Sequence, residues 1–260
     1  MNPYQESIES FFSRIIELRH ISSHLGSTLD ESVKRIESSV NAKFISGSYL
    51  VISDWTGPSE DGWEINYSTD FSKLTFKENY NDQVKRIFSE QCCYTLAQSF
   101  EALEKYFKDC VFERMKQNHQ FQEFIESNYP KNYSRATLPG GDEIFKLIKK
   151  AVGPQFNVAS KLNEHKIRFK EFWDILSEIR HSITHSRSII RLSKIKKSEY
   201  HKKTFTSFLG FSDYTQESFL IELDNKRLDK LLKNISEFGF QVFKLLSINE
   251  NLNWQHILKE

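Results

Sequence analysis

The stretch FKEFWDILSEIRHSITHSRSIIRLSKIKK, residues 169–197, decides how the rest of the chain is read. Phe172, Ile175, Leu176, Ile179, Ile183 and Ile190 recur at the i, i+3, i+4, i+7 spacing of an amphipathic helix. At about 100° per residue they form one apolar stripe, which must be buried. Ser177, Arg180, His181, Thr184, His185 and Ser188 fall on the other side of the same wheel, with Asp174 and Glu178 at its margin. Two imidazoles and a guanidinium therefore share one polar face. Arg180, Arg187, Arg191 and Lys194 extend it at i, i+7, i+11 and i+14, a single basic stripe if the helix continues. The segment RSIIRLSKIKKSEYHKK sets seven Lys or Arg against one Glu, the main basic run of the chain. A solvated helix face and a phosphate-binding patch both fit such a run.

Composition agrees with a helical protein. A chain of 260 residues with 38% apolar residues, 22 of its side chains Phe, can build one large or two small cores. Nine Gly and five Pro are few, which favours helices over a turn-rich β architecture. The net charge of +1 gives no global attraction to polyanions, so nucleic-acid binding would have to rest on a local patch. Cys92, Cys93 and Cys110 suit neither a disulfide framework nor a zinc knuckle, and a reducing compartment is expected. The opening MNPYQESIESFFSRII carries acids and no apolar h-region, and no segment approaches the roughly 20 apolar residues that span a bilayer. A cytoplasmic protein with no membrane partner is the expectation.

Helical spacing covers most of the chain. It predicts a helix over residues 4–25 with Gly26 as its stop, then a second capped by Asp30 and running through Val33, Ile36 and Val40. From Phe44 to Phe76 the period changes to the alternation of strands around the turn-rich DWTGPSEDG, which reads as a β-hairpin insert. Trp55 and Trp63 near its tip either cover the small sheet or form a recognition surface. Residues 80–117 give the longest helical pattern. Asp142 is placed to cap a short helix, Gly153-Pro154 to break it, and SFLIELD to form a short edge strand. A last helix follows Asp224 as N-cap, with Leu228, Leu231, Leu232, Ile235, Phe238, Val242 and Leu246 as its stripe. The expected class is therefore all-α with a small β-hairpin insert: N-terminal helices over 1–43, the insert over 44–78 and a helical bundle over 79–260.

The spacing Arg-x(4)-His occurs three times, at Arg19–His24, Arg114–His119 and Arg180–His185. Arg19 falls among the apolar positions Ile8, Phe12, Ile15 and Ile16, and Arg114 extends the line of Leu96, Leu103 and Phe107. Only Arg180 stands opposite the apolar stripe of its own helix. RHSITH on a late amphipathic helix resembles the R-x(4–6)-H signature of the HEPN superfamily. The resemblance covers about the C-terminal two-thirds of the chain. It implies a helical bundle, often dimeric, of a kind that in many members is a metal-independent ribonuclease of toxin–antitoxin, antiviral or RNA-processing systems. Arg180 and His185 match the two defining, catalytic positions, and His181 matches the polar residue that commonly follows the arginine, where many members have Asn. His181, Arg187, Arg191 and Lys194 are the expected substrate-binding side chains. RNA is the implied substrate and no cofactor is implied. The resemblance also implies a homodimer through the Arg180/His185 face and an antitoxin or regulatory protein as partner.

Two other readings stay open. His181 and His185 stand at i, i+4, as do His20 and His24, and each pair offers two nitrogens to one metal ion, although the neighbouring arginine opposes a cation. A helical module that binds RNA, a nucleotide or a protein without cutting anything would carry the same motif.

Overall fold

The structure, a computed structural model, describes residues 2–41, 43–53, 66–129, 134–164, 166–195 and 198–255. In chain order the elements are α1 (Gln5–Ser38), β1 (Phe44–Ser53), β2 (Asn66–Phe76), α2 (Tyr80–Gln117), α3 (His119–Asn128), α4 (Gly141–Val152), α5 (Pro154–Leu162), α6 (Phe169–His185), β3 (Ile189–Arg191), α7 (Glu199–Leu209), β4 (Ser218–Leu220) and α8 (Asn225–Asn249). The protein is predominantly helical, with two small antiparallel two-stranded sheets, β1–β2 and β3–β4, among the described residues. No helix among those residues is long and apolar enough to cross a membrane.

The chain divides into two compact units, Met1–Ser23 with Ser89–Glu260, and His24–Phe88. The smaller holds the second part of α1, the β1–β2 hairpin and the start of α2. Its hairpin matches the expected insert, closed at one end by Phe44 and Phe76 edge to face at 6.4 Å. Trp55 and Trp63 lie outside the described residues. The N-terminal helices differ from expectation: α1 runs unbroken from Gln5 to Ser38, through Gly26 and past Asp30. Gly26 is needed for closeness instead of termination. A Cβ there would sit 3.0 Å from the Phe88 ring, so the missing side chain admits the outer end of that ring.

In the larger unit Trp173 is the centre of an aromatic core. Fully buried, it stacks on Phe107 at 5.4 Å and meets Phe100 at 4.7 Å and Phe145 at 5.5 Å. Phe238 of α8 joins from the side, edge to face with Phe107 at 5.3 Å and 4.7 Å from Phe169. Rings from α2 and α4 thus pack against one indole of α6, with α8 joined through Phe107 and Phe169, at about 150–250 Å² per aromatic side chain. The α8 stripe is buried as its spacing predicts, and Asp224 caps the helix by accepting from the Arg227 N–H at 2.7 Å. Gly153, at φ +74°, both ends α4 and begins α5, with Pro154 in the first helical turn. Asp142 is not the cap of α4. Gly140 takes that place, and the Glu104 carboxylate of α2 accepts from the Gly141 N–H at 3.0 Å, so the cap arrives across the bundle.

Cys92, Cys93 and Cys110 are free thiols, all buried. Burial pushes the Cys92 thiol up to about 11, against an opposing hydrogen bond from Ser22, and the Cys93 thiol up to about 12; Cys110 is driven higher still. An unfolded thiol ionises near pH 8.5, so between that pH and 11 the unfolded chain releases protons that the folded chain keeps. Stability is therefore complete below pH 8.5 and falls as pH rises, by about 1.4 kcal/mol per pH unit for each thiol. The buried phenols of Tyr4 and Tyr106, also raised by burial, add to the loss above pH 10. Denaturant midpoints measured from pH 8 to 11 should drop steadily. A midpoint independent of pH over that range would contradict the burial of these groups.

Candidate functional site

Helix α6 is tied at its start and turned sharply at its end. The Phe169 N–H donates to the Ser160 hydroxyl at 2.9 Å and the Arg168 N–H to the Tyr200 hydroxyl at 2.7 Å, which satisfies two of the open N–H groups of the first turn. Its inner face is the expected one, with Phe172, Ile175, Leu176, Ile179 and Ile183 buried, and Trp173 and Ser182 buried beside them. The helix stops at His185. Arg187 and Ser188 adopt left-handed backbone, φ 52° and 63°, and the Ser188 N–H returns to the Ser182 carbonyl at 3.0 Å. Two consecutive non-glycine residues in that region cost about 1–2 kcal/mol each. The turn reverses the chain into β3, which buries Ile190 against the core and pairs with β4 in the register Ile189↔Leu220, Ile190↔Phe219, Arg191↔Ser218.

The basic stripe predicted on a continuing helix is therefore not formed. Arg180 remains on α6, Arg187 lies in the left-handed turn, Arg191 points outward from β3, and Lys194 ends a short 3-10 turn, Leu192–Lys194. What replaces the stripe is a groove of about 1080 Å³ whose walls are the end of α6, β3 with that turn, and the bend at Thr215–Ser218. His181, Arg191 and Lys194 line it together. Arg180, His185 and Arg187 do not.

The imidazoles of His181 and His185 are exposed, with ring centres 4.8 Å apart. Arg180 leans toward α2, where its Nη2 donates to Glu101 Oε1 at 3.2 Å; its side chain is 36% exposed, and its Nε is buried with no hydrogen-bond partner among the described residues. Glu178 stands three residues before His181 and pairs with Lys194 at 3.8 Å. Among the described residues no group of three or more His, Cys, Asp or Glu side chains gathers closely enough to hold a metal ion.

The other two Arg-x(4)-His arginines have structural partners. Arg19 lies on the exposed side of α1, beside an exposed Ile16, and forks onto Asp229 of α8 at 2.7 and 3.2 Å. Arg114 is 16% exposed and ion-paired with Glu250, itself 14% exposed, whose carboxylate also accepts from the Tyr4 hydroxyl at 2.8 Å.

No protein-family model, no curated protein and no solved structure matches this chain.

Residues that spacing alone does not single out complete the groove: Ser186, Ser193, Thr215, Gln216, Glu217 and Ser218. The Leu192 N–H bonds the Glu217 carbonyl at 3.0 Å and the Ile221 N–H the Ser188 carbonyl at 2.8 Å, so the two walls are one hydrogen-bonded unit. Behind the bend, Phe211, Phe219 and Tyr214 pack on one another and on Phe205 of α7, and the Tyr214 hydroxyl donates to the Lys202 carbonyl at 2.7 Å. An aromatic cluster thus holds the wall in place. The close spacing of Phe205, Phe208, Phe211, Tyr214 and Phe219 in the chain is the sequence signal for it.

Proposed function

We propose that this chain is a metal-independent endoribonuclease of the HEPN type, acting on RNA as a homodimer through the Arg180/His185 face. The observation that carries the reading is the pair of exposed imidazoles, 4.8 Å apart, on the side of α6 away from its core and next to Arg180. RNA carries its own nucleophile. In the homodimer His185 of one chain takes the proton from the 2′-OH, whose oxygen attacks the adjacent phosphorus; His185 of the second chain gives a proton to the departing 5′-oxygen, leaving a 2′,3′-cyclic phosphate and a 5′-OH. Histidine suits both tasks because its unperturbed pKa lies near 6.5. The Arg180 guanidinium, always charged and able to offer parallel N–H groups, meets the charge that builds on the phosphorane oxygens. It first exchanges Glu101 for phosphate, an exposed ion pair worth at most about 1 kcal/mol. His181, Arg187, Arg191 and Lys194 receive the strand on either side. A two-fold axis near this face would duplicate the motif across one cleft. A toxin–antitoxin or antiviral setting, with a protein partner that restrains the nuclease, belongs to the same reading.

Cleavage should proceed in excess EDTA and leave 2′,3′-cyclic phosphate ends, because the nucleophile is generated by a side chain. Loss of activity on chelation, restored by zinc or manganese, would favour the His-x(3)-His metal reading. A protein that binds RNA and leaves it intact would favour the binding module.

A further inference from the structure

We propose that the groove beside α6 is a base-reading subsite that takes a nucleotide whose base carries an exocyclic amine where uracil carries its O4, cytosine or adenine, and discriminates against uracil. The inference rests on the ribonuclease reading and adds to it the chemistry by which a sequence would be selected.

The groove has two unlike sides. Arg191 and Lys194 supply positive charge for a phosphate, and Ile189, outward on β3 and 45% exposed, supplies an apolar surface for the plane of a base. The facing bend supplies acceptors. Asp213 takes three hydrogen bonds from it: the Thr215 N–H at 3.0 Å, the Thr215 hydroxyl at 2.6 Å and the Gln216 amide N–H at 3.0 Å. A carboxylate only accepts, so these contacts settle which way each group points. The Thr215 hydroxyl hydrogen is spent on Asp213, and its lone pairs remain. The Gln216 amide is oriented with its nitrogen toward Asp213, which leaves its carbonyl oxygen open. Glu217, the next residue, lines the same groove with a carboxylate that makes no ion pair or side-chain hydrogen bond among the described residues. Three neighbouring side chains therefore present mainly acceptors to whatever enters.

A base edge that donates answers this wall. Cytosine N4 and adenine N6 are amines, and a carboxylate accepting from cytosine N4 or an amide facing adenine N6 is a standard pairing. Uracil places a carbonyl oxygen at the corresponding position, and against Glu217 two acceptors would oppose each other. The aromatic packing behind the bend keeps this wall from rearranging to suit.

The test uses short fluorescein-labelled 2′-O-methyl oligomers of C, A and U, which lack the attacking hydroxyl and so report binding without cleavage. Anisotropy titrations should give at least about tenfold tighter binding of the C and A oligomers than of U. The change E217Q, which keeps the shape and adds a donor, should weaken binding of C and A and tighten that of U, so that the three oligomers converge. The double change R191A with K194A should weaken all three alike, as loss of a phosphate contact does. Equal binding of the three oligomers by the native protein, or a preference that survives E217Q, overturns the subsite while leaving the ribonuclease reading standing. A native protein that binds none of the oligomers yet cleaves RNA also overturns the subsite alone, and one that does neither overturns both.

Discussion

Replacement of His185 by Ala is expected to lower RNA cleavage by about 10²–10⁴-fold, the usual loss when a positioned general acid or base is removed. His185 is the last residue of α6 and is exposed, so the same change should move thermal stability by less than about 0.5 kcal/mol. Arg180→Ala should cost cleavage in the same way. It removes the pairing with Glu101, but that carboxylate is itself on the surface and stays hydrated. If the working site draws its groups from two chains, mixing the inactive His185→Ala and Arg180→Ala proteins under subunit exchange should restore part of the activity. Full activity in His185→Ala would remove the motif from the mechanism.

Arg114→Ala is expected to do the opposite: destabilise the fold by about 3–5 kcal/mol and leave whatever is folded catalytically intact. The side chain is almost enclosed, and its partner Glu250 is equally enclosed, so truncation leaves a largely buried carboxylate with the Tyr4 hydroxyl as its remaining donor among the described residues. That exceeds what Arg19→Ala should cost. The Arg19 fork onto Asp229 is 62% exposed, and pairs of that kind contribute about 0–1 kcal/mol. Denaturant titrations of the two variants side by side would check the ordering; equal and small losses would mean that the Arg114 pair is hydrated.

The three Arg-x(4)-His segments look alike as text, and their different fates explain what could be read early. Where a side chain lies on its own helix depends only on neighbours three and four residues away, so the positions of His181 and His185 opposite the α6 stripe were legible; Arg180, four residues after Leu176 and three before Ile183, flanks that stripe instead and is half-buried. Which group each arginine meets was not legible. Arg180 finds Glu101 79 residues away, and Arg114 finds Glu250 136 residues away, distances across which spacing carries no information. Trp173 was missed for a related reason. It lies one position beside the counted stripe, and only the convergence of α2 and α4 on α6 makes that position the centre of the core.

The sequence by itself determined the helical class, the buried faces of α6 and α8, the cap at Asp224, the break at Gly153-Pro154 and the β1–β2 hairpin. Each depends on backbone preference and on periodicity within a few turns, both of which are local. Only the tertiary structure decided that α1 passes through Gly26, because the room for Phe88 comes from another helix. Only it decided that α6 ends at His185: the pairing of β3 with β4 and the burial of Ile190 offset the left-handed turn at Arg187 and Ser188, and β4 lies nearly thirty residues further on. That turn scatters the basic stripe, opens the groove and brings Thr215, Gln216 and Glu217 beside His181, a juxtaposition made by long-range packing and by no pattern in the chain.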